Sequence, residues 1–114
     1  MPLIYKIAPA DLWRTAQAVG TFVGAPVDVA DGYIHFSSAA QVRETAARHF
    51  GGAHDLVLIA LEANDLGVAL KWEPSRGGAL FPHLYGPLDI RHVQWSAPLP
   101  LGPDGRHQFP ELDA

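Results

Sequence analysis

Two short runs of the chain combine a histidine with aromatic, hydroxyl-bearing and backbone-restricting residues. The first covers residues 32–38 (GYIHFSS) and the second residues 81–87 (FPHLYGP). An imidazole changes charge near neutral pH, and aromatic rings and hydroxyls hold and orient small ligands. The two runs therefore predict that His35 and His83, although far apart in the chain, meet around one small-molecule site.

His35 lies in a segment that is predicted to be a strand. Alternation over residues 33–36 places Tyr33 and His35 on one face, opposite two apolar side chains. If the apolar face is buried, His35 faces a cleft or solvent, which makes it a candidate catalytic residue. The alternative is a surface histidine with no functional role.

Ser37 and Ser38 follow where this strand gives way to a helix. Ser38 and Gln41 have the spacing of a capping box, which predicts a helix that begins at Ala39. Free N–H groups at a helix start can receive an anionic group, so both serines are candidate ligand-binding residues. A purely structural capping role for Ser38 is the alternative.

The second run restricts its own backbone. Pro82 and Pro87 each fix φ, and Gly86 permits a sharp bend. This restriction would hold His83, a candidate catalytic residue, and Tyr85, a candidate ligand-binding residue, with little conformational entropy left to lose on binding. The alternative is a tight structural turn.

Three charged residues are further candidates. Glu73 and Lys6 lie in predicted strands, each opposite apolar neighbours, so one strand face could bring both of them to His35. Glu73 is a candidate catalytic carboxylate, and Lys6 is a candidate ligand-binding residue. Arg76 lies in a loop near the second run and could bind a phosphate or carboxylate of the ligand. Solvated surface charges are the alternative for all three.

Several other kinds of site are not indicated by the sequence. The chain has no cysteine, which excludes disulfides, thiolate catalysis and cysteine-ligated metals. Its six histidines form neither an HxH nor an HExxH motif, so we expect no metal site. The sequence also lacks a G-x-S-x-G elbow, a dinucleotide-binding glycine fingerprint and a P-loop.

The composition is that of one ordinary globular domain. The chain has 114 residues, 48% of them hydrophobic, and a formal net charge of -4. We expect residues 1–114 to form a single domain with a proline-rich tail from about residue 98. The negative charge argues against a nucleic-acid partner. Because no secretory signal or apolar run of about 20 residues is present, we expect a cytoplasmic protein without membrane contact.

Hydrophobic periodicity predicts two main helices among five or six strands. The helices are expected to run from Pro9 to Gly20 and from Ala39 to Gly51, with a loop over residues 21–32 that holds at most one short strand. Strands are expected at residues 3–7, 33–36, 56–61, 68–73 and 93–97. Helices and strands do not alternate strictly, so the predicted class is α+β.

At the two histidine runs the chain resembles the family called domain of unknown function 952. The resemblance covers nearly the whole chain, and the histidine runs are its specific part. The similar segments are residues 4–7 (IYKI), Trp13, residues 31–37 (DGYIHFS), Gln41, the apolar strand at 56–61, residues 72–73 (WE) and residues 81–88 (FPHLYGPL).

The resemblance implies a fold similar to that of ADP-ribosyltransferases, with two small, mostly antiparallel sheets around an NAD cleft. It also implies a pocket for NAD, as a substrate, or for a related nucleotide. In those enzymes a first-strand histidine binds the NAD ribose, an aromatic residue stacks on nicotinamide and a glutamate often assists catalysis. Here Lys6, which has hydrogen-bond donors only, stands at the first-strand position.

Three functions are consistent with these features. The first is an ADP-ribosyltransferase-like enzyme acting on NAD, ADP-ribose or a phosphorylated nucleotide. In it Glu73 stabilises charge at the ribose carbon, His35 or Tyr85 holds ribose or phosphate oxygens, and Lys6 lies near the pyrophosphate. The second is a non-catalytic module that binds or senses a nucleotide-like ligand. The third is an interaction domain that uses the second run as a contact surface.

Overall fold

The chain folds into antiparallel sheets and short helices in the structure, which is a computed structural model. The structure describes residues 3–113, without the side chain of Arg76. The strands are β1 (Leu3–Pro9), β2 (Thr21–Phe22), β3 (Ile34–His35), β4 (Ser37–Ser38), β5 (Leu56–Glu62), β6 (Leu70–Pro74), β7 (Leu80–Leu84), β8 (Leu88–Asp89) and β9 (Val93–Pro98). The α-helices are α1 (Ala10–Val19), α2 (Pro26–Asp31) and α3 (Val42–His49), and 3₁₀ segments cover Ala63–Ala69, Arg76–Gly78 and Ile90–His92.

The strands form two larger sheets and one small one. The first has four strands in the order β4-β1-β5-β9, and the second has three in the order β3-β7-β6. All the strand pairs within residues 3–113 are antiparallel. The predicted α+β class is therefore confirmed. The pairing of β2 with β8 adds a small third sheet, where the resemblance implied two.

The apolar run of β5 is covered on both faces, as predicted. Leu58 and Ala60 belong to one buried cluster, and Ile59 and Leu61 belong to another. The side chains alternate because successive residues of a strand point to opposite faces of its sheet. Helix α1 packs on the Ile59 side and α3 on the Leu58 side, so β5 lies in the middle of the core.

The first strand and helix follow the sequence closely. Strand β1 continues to Pro9, whose extended backbone (ψ 137°) then serves as the N-cap of α1. The predicted helix start is therefore one residue early. Gly20 ends the helix in the left-handed region at φ 97°, which glycine adopts without a Cβ clash.

Two predictions of secondary structure are wrong. Residues 21–32 are not a loop with one short strand, because they contain both β2 and the helix α2. Helix α3 begins at Val42, not Ala39, because Ser37 and Ser38 pair with β1 and keep the backbone extended. The second histidine run begins in a strand, since its first four residues belong to β7, between β3 and β6, and this excludes the alternative of a tight turn at those residues.

The chain segment after β9 packs over the second core cluster. Leu99 is fully buried, and Phe109 and Leu112 contact the cluster on its α3 side. Near the end of this segment, backbone groups of Asp113 bond to the hydroxyl of Tyr5. Within residues 3–113, no helix has the length and apolar character that a membrane crossing requires.

Candidate functional site

The register of the three-stranded sheet brings the two histidines together. His35 of β3 lies directly opposite His83 of β7, which in turn lies opposite Lys71 of β6. Residues that face each other on neighbouring antiparallel strands project from the same face. The two imidazole centroids are 5.4 Å apart, so His35 and His83 are neighbours on this face although they are far apart in the chain.

Tyr33 lies at the centre of the aromatic groups on this face. Its ring centroid is 4.2 Å from that of His83, 4.7 Å from His35 and 5.2 Å from Tyr85. We call Tyr33, His35, Glu73, His83 and Tyr85 the histidine–tyrosine cluster. The rings of Tyr33 and His35 contact the buried ring of His83, and Tyr85 lies exposed at the edge of the cluster.

Glu73 is the carboxylate of this cluster. Its Oε1 accepts hydrogen bonds from Nδ1 of His83 at 2.8 Å and from the hydroxyl of Tyr85 at 2.7 Å. The bond from His83, followed by that from Tyr85, lowers the pKa of Glu73. The hydrogen bond between Tyr85 and Glu73 raises the pKa of Tyr85 to about 12, because loss of the Tyr85 proton would place two anions next to each other. At neutral pH, Glu73 is therefore ionised and fixed in orientation.

Asp28 is a second, deeply buried carboxylate beside the cluster. It is 1% exposed and accepts bonds from Nζ of Lys6 (2.9 and 3.0 Å), from the N–H of Ala25 (2.7 Å) and from both the N–H (3.0 Å) and Nδ1 (2.6 Å) of His35. Burial acts to raise the pKa of Asp28, but the bond from His35 and the charge of Lys6 outweigh it and hold the pKa well below its usual range. Burial lowers the pKa of Lys6, and Asp28 opposes that shift.

The loop before α2 leaves room for the side chain of Asp28. Gly24 has φ 111°, and a Cβ added there would lie 2.6 Å from the Cβ of Asp28. Pro26 occupies the first turn of the helix, where its missing N–H costs nothing. Asp28 sits at the third helical position and accepts the N–H of Ala25, which satisfies a donor that the helix leaves free.

His35 is held by carboxylates at both ring nitrogens. Nδ1 donates to Asp28 at 2.6 Å, and Nε2 lies 2.9 Å from Oδ2 of Asp31, four residues earlier in the chain. Both ring nitrogens therefore face a carboxylate oxygen. This arrangement fixes the ring but leaves no nitrogen of His35 open to a ligand.

The structure gathers some of the predicted site residues and separates others. Four of them, Glu73, His35, His83 and Tyr85, form one cluster. Lys6 joins it only through Asp28 and is 5% exposed, so its Nζ lies beneath the site and not at its surface.

The remaining predicted residues do not contribute to the cluster. The Ser37 hydroxyl bonds to Thr45 of α3, and the N–H of Ser38 donates to the side chain of Gln41. These serines are not at a helix start, because α3 begins at Val42. The side chain of Arg76 lies outside the described residues. Within residues 3–113, no three His, Asp or Glu side chains are grouped to hold a metal ion.

Three residues of the site, Asp28, Asp31 and Tyr33, are not among the predicted site residues. Proline followed two residues later by aspartate is compatible with a helical first turn, but it is equally typical of a loop, so this signal alone does not identify α2 and Asp28. Tyr33 shares the strand face of His35 and could have been included on that ground. The contact between Asp31 and His35 depends on how α2 packs and has no signal in the sequence.

The family of the chain is established by comparison with known proteins. The family described as "Protein of unknown function (DUF952)" matches residues 7–96. The chain therefore belongs to this family, as the resemblance at the histidine runs implied. Its description assigns no activity, and a comparison with curated proteins finds no match.

Solved structures of one bacterial protein are similar over almost the whole chain. The crystal structure of protein CC0527 from Caulobacter crescentus is 54% identical, covers 93% of each chain and has a TM-score of 0.90. Its solution NMR structure is 54% identical, covers 95% of this chain and 93% of that one, and has a TM-score of 0.85. The α+β fold described above is thus shared with a close relative.

Proposed function

We propose that the histidine–tyrosine cluster is the active site of an ADP-ribosyltransferase-like enzyme acting on NAD, ADP-ribose or a phosphorylated nucleotide. The observation that supports this most is the carboxylate of Glu73. Its Oε1 is held by His83 and Tyr85, while Oε2 makes no hydrogen bond within the described residues. An ionised, oriented carboxylate beside aromatic rings suits a ligand that develops positive charge as it reacts.

The proposed chemistry takes place at the ribose carbon of NAD. The bond from C1′ to the nicotinamide nitrogen breaks, and the ring leaves with the bonding pair as neutral nicotinamide. Glu73 stabilises the positive charge that develops at the ribose. A water molecule or an acceptor hydroxyl forms the new C–O bond and loses a proton. Since Nδ1 of His83 donates to Glu73, we assign to Nε2 the role of accepting that proton.

Lys6 and Asp28 have a supporting role in this proposal. A direct contact between Lys6 and a pyrophosphate would require Nζ to leave its buried pair with Asp28. Leaving Asp28 unpaired in the interior is costly. We therefore assign to the pair the positioning of His35, and to Tyr33 and Tyr85 the aromatic contacts with the ligand.

A second candidate function is a non-catalytic module that binds a nucleotide-like ligand. The observation that favours it is the state of His35, whose two ring nitrogens are already bound to Asp28 and Asp31. A ring held in this way can shape a pocket but cannot transfer a proton without first losing a partner. In this reading the cluster holds a ligand without converting it.

Glu73→Gln separates the two functions. The substitution keeps the size of the side chain and removes its charge. We would titrate NAD and ADP-ribose by calorimetry and measure nicotinamide release from NAD, with Glu44→Gln on the exposed face of α3 as the matched control. The enzyme predicts release that Glu73→Gln abolishes and Glu44→Gln preserves. Binding without release, changed only modestly by Glu73→Gln, supports the module, and no binding at millimolar ligand contradicts both.

A further inference from the structure

An apolar groove adjoins the histidine–tyrosine cluster. It has a volume of about 470 Å³, and its walls include Val23, Val29, Tyr33, Leu84 and Pro87. This volume is within the range of small-molecule pockets. Of the five cluster residues, Tyr33 is the one that lines the groove. Tyr33 therefore forms a wall shared by the groove and the cluster.

The groove is not suited to a charged group. Among its lining residues Asp28 alone bears a charge, and both of its oxygens are already bonded to Lys6, His35 or Ala25. A phosphate or carboxylate entering the groove would lose its hydration without gaining a cationic partner. An uncharged group would lose much less hydration free energy on entering the groove.

The walls are suited to a flat apolar ring. Val23 is 67% exposed and Val29 65% exposed, so two branched apolar side chains stand in solvent at the edge of the groove. Covering them removes apolar surface from water. The ring of Tyr33 offers a partner for offset or edge-to-face packing with a second ring.

We infer that the groove binds an uncharged aromatic ring of the ligand, whose polar part reaches the histidine–tyrosine cluster past Tyr33. The inference rests on the proposed function for the nature of that polar part. The groove itself selects for a neutral ring and against an anionic one. This selection gives the site a specificity that the cluster alone does not provide.

Two probes of the same shape test the inference. Benzamide is neutral, and benzoate has the same ring with a negative charge. We would titrate each into the protein and follow the methyl NMR signals of Val23, Val29 and Leu84, with Leu99 on the far side of the core as a reference. We expect benzamide to shift the three groove signals and not Leu99, and benzoate to bind at least about tenfold more weakly.

Helix α2 provides a matched pair of variants. Val29 lines the groove, and Val27, which is 56% exposed on the same helix, does not. Val29→Glu should weaken benzamide binding at least about tenfold, while Val27→Glu should leave it within about twofold of the parent. Val23→Glu repeats the test from the other wall. An unchanged Leu99 signal shows that each variant is folded.

The outcomes distinguish this inference from the proposed function. It is overturned if benzamide shifts no groove signal, if benzoate binds equally well, or if Val27→Glu and Val29→Glu have equal effects. Benzamide has neither ribose nor phosphate, so its binding tests the groove and not the chemistry assigned to Glu73. Intact benzamide binding with no effect of NAD or ADP-ribose would therefore contradict the proposed function alone.

Discussion

At the scale of single residues, burial separates the charged groups that support the site from those that can meet a ligand. Asp28 and Lys6 are almost completely buried and satisfy each other. Glu73 and Asp31 are partly exposed, and each contacts a histidine on one side only. The alternation of the strands predicted that Lys6 would lie opposite its apolar neighbours. It did not predict that Lys6 would be buried, because its partner Asp28 comes from a distant helix.

Asp28→Asn should strongly destabilise the protein. The amide keeps the shape of the side chain but leaves the ammonium of Lys6 buried without a counter-charge, so we expect the free energy of unfolding to fall by about 3–5 kcal/mol. Urea denaturation followed by circular dichroism measures the change. Asp31→Asn is the control, since its exposed pair with His35 should contribute less than about 1 kcal/mol. Equal losses in the two variants would contradict the central role of Asp28.

The same carboxylate should make stability depend on acid pH. The folded state lowers the pKa of Asp28 below its ordinary value of 3.8, so the unfolded chain takes up the proton first as pH falls. The contribution of Asp28 is therefore complete above about pH 4 and is lost as pH falls through the folded-state pKa. Denaturation midpoints measured between neutral and strongly acid pH should fall more steeply in the parent protein than in Asp28→Asn. Parallel curves for the two proteins would show that other carboxylates cause the loss of stability at acid pH.

Tyr85 should titrate at unusually high pH as long as Glu73 is charged. Its folded pKa is raised to about 12, so its contribution to stability is present below about pH 10 and lost as pH rises through 12. The difference in tyrosinate absorbance between the parent and Tyr85→Phe isolates this group. In a Glu73→Gln background the pH midpoint of this absorbance difference should move back towards 10. A pKa that does not move would mean that Glu73 is not its cause.

At the scale of elements, the sequence predicts the long apolar segments well and the short polar ones poorly. The strand β5 and the helix α1 follow from unbroken apolar character, helical spacing and the stop at Gly20. Helix α2 has six residues, among them a proline and two aspartates, which are equally typical of a loop. The part of the site supplied by strands could thus be predicted, while the part supplied by α2 could not.

Gly24→Ala should displace α2 and with it Asp28. The new Cβ would meet the Cβ of Asp28 at 2.6 Å, in addition to the strain of a positive φ. Gly20→Ala is the matched control, because Gly20 has a similar φ of 97° and nothing within 4 Å of the added Cβ. We expect a loss of about 1–2 kcal/mol from φ strain in both variants and about 1–3 kcal/mol more in Gly24→Ala. Thermal or urea denaturation measures this, and equal losses would show that the contact with Asp28 is unimportant.

At the scale of the whole molecule, the two ends of the described chain are tied together on the side opposite the site. Strand β1 supplies Tyr5, whose hydroxyl donates to the backbone oxygen of Asp113 at 2.8 Å and accepts its N–H at 3.0 Å. The contact spans 108 positions of sequence. No periodicity or local motif connects residues so far apart, and the four prolines from Pro98 onwards predicted only a proline-rich tail. Tertiary packing alone determines where that tail lies.

Tyr5→Phe should loosen the tail and leave the site intact. The substitution keeps the buried ring and removes both hydrogen bonds, so we expect a loss of about 1 kcal/mol in unfolding free energy. Because the lost bonds fasten one segment, hydrogen exchange should accelerate over residues 99–113 more than in β5 or β7. Tyr85→Phe, which removes a hydroxyl on the other side of the molecule, should leave exchange in the tail unchanged. Exchange that rises uniformly along the chain in Tyr5→Phe would mean that the tail unfolds only together with the core, and that its contact with Tyr5 stabilises the whole domain.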